Sequence, residues 1–155
     1  DGAGGLINSI VDNFGEAKIQ RCTVHKMENI MKCCPKNLRP ELKAKLNRLW
    51  NQPSKVDAYR LYEQICEEYS DIAKNAIRCL SEDIDSLLKF YDFPDGHWKA
   101  IRSTNIIERL NREIKRRTKA MGILETKDGI FRIVMGVIRE YQNNWDLKCH
   151  WGFKK

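Results

Sequence analysis

Long apolar runs are missing from this sequence: no stretch approaches the roughly 18 residues that a membrane-spanning helix needs. The N-terminus also lacks the basic-then-apolar order of a signal peptide. No membrane partner is therefore expected. The six cysteines, Cys22, Cys33, Cys34, Cys66, Cys79 and Cys149, keep none of the spacings of a secreted disulfide framework, which points to reduced thiols and a cytoplasmic protein. Internal repeats and low-complexity tracts are absent as well, so solenoids and disordered arrays drop out. No initiating Met is present; the chain opens at Asp1-Gly2 and reads as a piece of something longer. What is there is an ordinary globular balance, 42% hydrophobic and 32% charged over 155 residues, enough for one folded domain with a core.

The formal charge is +7, and the excess is local. Between Lys99 and Lys119 eight basic residues stand against Glu108 and Glu113 alone. Such a concentration fits a polyanion partner, because cations that displace condensed counterions from phosphates gain affinity without reading sequence. A solvated basic face explains the charge equally well.

Hydrophobic periodicity is helical almost throughout. Leu6, Ile7, Ile10, Val11 and Phe14 predict a short helix ending near Gly15, and residues 17–22 read as a strand bounded by that glycine. Met27, Ile30 and Met31 mark a helix that stops before Pro35. Pro40 begins another that buries Leu42, Leu46 and Leu49. Ser54, whose hydroxyl can accept a free backbone N–H, caps a fourth, in which Val56, Tyr59, Tyr62, Ile65, Cys66 and Tyr69 follow at three-and-four spacing. One helix is expected over 71–90, a turn at Phe93-Pro94-Asp95-Gly96, and helices over 105–120 and 126–145. Asp12, Asp57, Asp71, Asp83 and Asp85 read as surface positions of helices.

The segment 105–120 is the informative one. Asn105 can cap it, Ile107, Leu110, Ile114 and Met121 form its apolar side, and Glu108 lies off that stripe with Asn105 and Arg112. As the fourth residue of Asn105-Ile106-Ile107-Glu108, Glu108 can be a capping-box carboxylate, and Arg112 and Arg116 can be its ion-pair partners and those of Glu113. A cap, however, needs no cluster of Arg102, Arg109, Arg112, Lys115, Arg116 and Arg117 around it.

The run from Phe93-Pro94 and His97-Trp98 through Ile101-Arg102-Ser103-Thr104-Asn105-Ile106-Ile107-Glu108-Arg109-Leu110-Asn111-Arg112-Glu113-Ile114-Lys115-Arg116-Arg117 resembles the signature of bacterial insertion-sequence transposases of the Mutator type. Asp1-Gly2 resembles the segment of that family holding the second catalytic Asp, and Gln20-Arg21-Cys22-Thr23-Val24-His25 resembles its Cys-x-x-His element. The likeness covers essentially the whole chain, with departures at Ile106, Gly96 and Leu124-Glu125, none of which removes a candidate ligand.

The resemblance implies a mainly α fragment: the C-terminal part of an RNase H-like α/β core with an all-helical insertion. Residues 1–23 would belong to that core, 24–94 would be the insertion, and 95–155 the C-terminal catalytic helices. It implies a DDE enzyme whose three carboxylates hold two Mg²⁺ (or Mn²⁺) ions, which suits hard oxygen ligands and phosphodiester displacement. Asp1 and Glu108 would be two of the metal ligands, with Arg109 beside them as a phosphate contact or active-site organiser. Arg102, Arg109, Arg112, Lys115, Arg116, Arg117 and Lys119 would contact DNA, the transposon's terminal inverted repeats and the target. The first Asp would lie upstream, leaving the isolated fragment inactive; the full-length protein would be a homo-oligomer, bacterial and nucleoid-associated. Cys22 and His25 make half of a zinc site or simply pack. The rival readings are a non-catalytic DNA-binding module and an interaction domain whose basic helix docks an acidic protein.

Overall fold

The computed structural model describes residues 4–14, 19–120 and 126–148, and among them it is mainly helical with no strand. In chain order the helices are α1 (Gly4–Phe14), α2 (Thr23–Cys33), α3 (Arg39–Leu49), α4 (Lys55–Tyr69), α5 (Lys74–Ser81) and α6 (Ile84–Leu87). A 3₁₀ turn, Lys89–Asp92, precedes α7 (Asp95–Ile101), α8 (Asn105–Ala120) and α9 (Lys127–Lys148). The chain forms two compact units, residues 1–103 and 104–155.

The first unit holds the core. Leu42, Leu46 and Leu49 of α3, Ile30 of α2, Ile65 and Tyr69 of α4, and Ala76 and Leu80 of α5 are buried together. Leu87, Leu88 and Phe90 complete the cluster. Pro40 sits in the first turn of α3, where its missing N–H has no intrahelical partner to lose. The Ser54 hydroxyl accepts the Asp57 N–H at 3.1 Å, the N-cap that the sequence predicts.

Three sequence expectations are corrected here. Residues 19–22 are not a strand: they run without a ladder, held by single bonds from Arg21 N–H to the Ser86 carbonyl (3.0 Å) and from the Gln20 amide to the Leu87 carbonyl (3.0 Å). The expected helix over 71–90 is broken into α5, α6 and the 3₁₀ turn. Leu80, Leu87, Leu88 and Phe90 are all fully buried, and on one straight helix Leu88 and Phe90 would lie about 160° apart; the breaks let both reach the core. The expected turn at 93–96 lies partly inside α7, which starts at Asp95. Trp98 of α7 packs edge-on against Tyr91 (4.6 Å between centroids) and Phe90 (6.1 Å), which ties residues 95–101 to the helical core of the first unit.

Asp83 is not the surface residue the sequence suggests. Lys26, on the inner face of α2 with its side chain only 3% exposed, donates to the Asp83 carboxylate, and Arg21 Nε reaches the same oxygen at 3.2 Å. Burial alone would raise the Asp83 carboxyl, but the hydrogen bonds and positive charge of Lys26 and Arg21 outweigh it and hold the group below its ordinary value.

Candidate nucleic-acid interface on α8

In the second unit α8 and α9 form a helical hairpin. Thr126 opens α9 by accepting the Gly129 N–H on its hydroxyl at 3.1 Å. Asn105 is the first residue of α8 rather than the cap before it. Glu108, in the first turn, is exposed; its carboxylate accepts the Thr104 hydroxyl at 2.6 Å, and its N–H donates to the Thr104 carbonyl at 2.9 Å. A structural duty at the helix start thus coexists with an accessible carboxylate.

The seven cations proposed from sequence divide by what they touch. Arg102 lies in the first unit: its guanidinium donates to the Trp50 carbonyl and to Asn51 Oδ1 (3.1 Å), and its own carbonyl accepts the Thr23 N–H (2.9 Å) and hydroxyl (3.0 Å). Arg116 grips Glu113 with two bonds, Nη2 to Oε1 at 2.7 Å and Nε to Oε2 at 2.8 Å. Arg117 lies between two carboxylates, Nε to Glu113 at 2.8 Å and Nη1 to Glu140 of α9 at 2.8 Å. Arg109, Arg112, Lys115 and Lys119 are exposed and engage no acidic group among the described residues. The sequence could not make this division, because Glu140 lies on a different helix.

Helix geometry aligns the exposed set. Counting about 100° per residue from Glu108, Lys115, Lys119 and Arg112 fall within roughly 40° of it on either side, whereas Glu113 and Arg117 lie at about 140° and 180°. Glu108 therefore heads a row that continues through Arg112, Lys115 and Lys119 on the face turned away from α9. Arg109 is at one edge of that row; with Glu113, Arg117, Val137, Glu140 and Tyr141 it also lines a concavity of about 270 Å³ on the hairpin.

The charged cluster under the row has a pH signature. Hydrogen bonds from Arg116 and then Arg117 hold the Glu113 carboxyl at about 2. In an unfolded chain the same group titrates near roughly 4.3. Because the folded value is the lower one, the pairing stabilises the hairpin fully above that range and is lost as pH falls through about 2. An NMR titration of the Glu113 side chain should accordingly show a midpoint near 2, and Glu113→Gln should remove the loss of stability between about pH 4.3 and 2; a midpoint above 4 would contradict the paired geometry.

Cys22 is buried immediately before α2 and His25 is half-buried in its first turn. Among the described residues no three His, Cys, Asp or Glu side chains gather as a metal site would require. Asp1, the other proposed carboxylate ligand, lies outside the described residues. No helix described is long and apolar enough to cross a membrane.

The whole arrangement has relatives. Residues 1–147 match the family described as transposase, Mutator family. The chain is 32% identical over 145 residues to the transposase for insertion sequence element IS1081 of Mycobacterium tuberculosis, covering 94% of this chain and 35% of that protein. Against the transposase for IST2 of Acidithiobacillus ferrooxidans it is 29% identical, over 94% of this chain and 49% of the relative. For the transposase for IS905 of Lactococcus lactis the identity is 29% over 99% of this chain and 39% of the relative. The chain thus spans between about a third and a half of the length of these proteins. By the match over residues 1–147, it belongs to the Mutator family of transposases.

Proposed function

We propose that a complete protein carrying this chain cuts DNA at the ends of its insertion sequence and joins the freed 3′-hydroxyl to target DNA. In this reading it is a DDE enzyme with an RNase H-like core, and residues 1–155 supply that core's last helices together with the helical insertion. The observation that carries the proposal is the row on α8: an exposed carboxylate, Glu108, heads three cations on one face that engage no acidic group among the described residues.

Glu108 suits a hard divalent cation in kind, since it offers carboxylate oxygen at an exposed position. Together with Asp1 and an upstream Asp it would hold Mg²⁺ or Mn²⁺. A pair of such ions supplies activation of the attacking oxygen and stabilisation of the leaving one. The chain's own residues do the rest. Arg112, Lys115 and Lys119 neutralise successive phosphates of the strand, and Arg109, next to Glu108 in sequence, steadies the phosphate nearest the reacting bond. Thr104 fixes one oxygen of Glu108 through its hydroxyl, which limits the rotamers of the carboxylate before any ligand arrives. In cleavage water attacks the phosphorus and the bond to the 3′-oxygen breaks, leaving a 3′-hydroxyl and a 5′-phosphate. In joining, that 3′-hydroxyl attacks a phosphorus of the target, whose own bond to a 3′-oxygen breaks, and the proton lost by the attacking hydroxyl balances the one gained by the departing 3′-oxygen.

Location in the cytoplasm on the bacterial nucleoid, and action as a homo-oligomer, accompany this reading. The test is nicking of insertion-sequence end DNA by the complete protein. Cutting should require Mg²⁺ or Mn²⁺, cease with a chelator, and be absent from residues 1–155 alone. Chelator-resistant cutting, or cutting by the isolated chain, would overturn the assignment.

A further inference from the structure

Arg117 stands apart from the other basic residues of α8. Its guanidinium bridges two carboxylates, Glu113 one turn back on its own helix and Glu140 on α9, both at 2.8 Å. Arg116 holds the remaining oxygen of Glu113. Two arginines and two glutamates carry no net charge, so this cluster offers a phosphate no net attraction, and an arginine leaving it would strand a carboxylate. Arg117 also lies about 180° around the helix from Glu108. A strand running along the Glu108 row cannot reach it.

The rest of the hairpin makes this bridge consequential. Among the described residues of the second unit only Val137 is buried, while Ile107, Ile130, Phe131 and Met135 are exposed. Apolar burial here rests on Val137 and on half-buried side chains such as Leu110, Ile114, Ile133 and Ile138; being non-directional, it fixes the rotation of α8 about its own axis less sharply than a directional bond does. A guanidinium with two carboxylate partners has a fixed fork geometry and does specify rotation. A turn of α8 far smaller than the roughly 100° of one residue would move the short Glu108 side chain off its phosphate, while the long, flexible side chains of Arg112, Lys115 and Lys119 would still reach the strand.

We infer that Arg117 is a positioning residue: the Glu113–Arg117–Glu140 bridge sets the rotation of α8 on α9 and so fixes the aim of Glu108 at the reacting phosphate, without touching DNA itself. This rests on the transposase reading for what the row does, not for the bridge. The row from Arg112 to Lys119 extends roughly 10 Å along α8, and its cations can follow one strand because they share a face.

The experiment measures binding of end DNA by the complete protein against salt concentration, and single-turnover cleavage at saturating DNA. Each phosphate that a variant no longer neutralises reduces the slope of log affinity against log salt by about 0.9. Lys115→Ala should show that reduction. Arg117→Ala should leave the slope unchanged and lower cleavage at saturating DNA by roughly ten- to a hundredfold, the scale of a misplacement near 1 Å. Glu140→Ala should behave like Arg117→Ala, and the exchange Arg117→Glu with Glu140→Arg should recover most of the cleavage, which a general structural role would not produce. Arg117→Lys, which keeps the charge and folds where Ala does not, should also cleave poorly because an ammonium lacks the fork. A slope reduced by about 0.9 in Arg117→Ala, or full cleavage by Glu140→Ala, overturns the inference. If the wild-type protein cuts no DNA, the proposed reaction fails, but the slopes still decide whether Arg117 meets phosphate.

Discussion

Replacing Glu108 by Gln in the complete protein should lower cleavage of end DNA on the order of a thousandfold or more, while affinity for that DNA stays the same or rises slightly. The substitution keeps the shape, and the amide oxygen can still accept from the Thr104 hydroxyl, which is 2.6 Å from the carboxylate. What it removes is one negative charge at an exposed point of α8. For a residue whose work is holding cations at the reacting phosphate, that charge matters most in the transition state; removal of a single preorganised electrostatic group there costs on the order of 10² to 10³ in rate, and a metal ligand should cost at least as much. Affinity moves the other way, because the strand meets Arg112, Lys115 and Lys119 with one less repulsive neighbour. The alternative, in which Glu108 only caps α8, predicts a small loss of stability and nearly normal cleavage. Single-turnover kinetics beside a filter-binding or anisotropy titration separate the two.

The second large effect concerns folding. Asp83→Ala should cost the first unit about 3–5 kcal/mol, because it leaves the ammonium of Lys26, only 3% exposed, without its acidic partner inside the fold. Lys26→Met should cost much less: it removes the buried charge outright, keeps most of the side-chain volume, and leaves Asp83 paired with Arg21 at 3.2 Å and partly open to solvent. This asymmetry distinguishes a buried ion pair from an ordinary surface bridge, whose two halves would each be worth about 0–1 kcal/mol. Acid should imitate the first variant. The folded Asp83 carboxyl titrates below its usual value, so the pair's contribution is whole above roughly pH 3.9 and disappears as pH falls through the lowered folded value. Urea denaturation of the two variants and the parent chain measures this; equal losses from both substitutions would contradict the buried-pair account.

How far the sequence discloses this molecule depends on the range over which its signals act. Local signals read true: the period of Leu42, Leu46 and Leu49, the Ser54 cap, Pro40 in a first turn and the basic composition of α8 are all set by neighbours within a few residues. The failures come from long-range partners. Asp83 reads as surface because its partner, Lys26, is 57 residues away in sequence. The break between α6 and the 3₁₀ turn lets Leu88 and Phe90 both reach one core, which a periodicity argument applied to a single helix cannot foresee. The segment 17–22 resembles a strand by its shortness and its glycine boundary, yet residues 19–22 bond to scattered carbonyls of 86 and 87 instead of a ladder.

The candidate site was legible in a similar measure. Glu108 and its cations could be named from composition and family likeness, and the hundred-degree step of a helix already places Arg112, Lys115 and Lys119 beside it. Which arginines are committed elsewhere could not be read. Arg102 is spent on the Trp50 carbonyl and Asn51, and Arg117 on Glu140. Both facts depend on the tertiary fold, and both reduce the set of residues available to phosphate.

The claim beneath all of this is that Glu108 binds the reactive cations at a DNA strand lying along α8. Crystals of the complete protein with its end DNA, grown in Mn²⁺ and measured at the manganese absorption edge, test it directly. The account predicts anomalous density at direct ligand distance from the Glu108 carboxylate, shared with Asp1 and beside a phosphate, with Arg112, Lys115 and Lys119 following the same strand. Manganese bound at carboxylates that exclude Glu108, with the DNA lying away from α8, would contradict it.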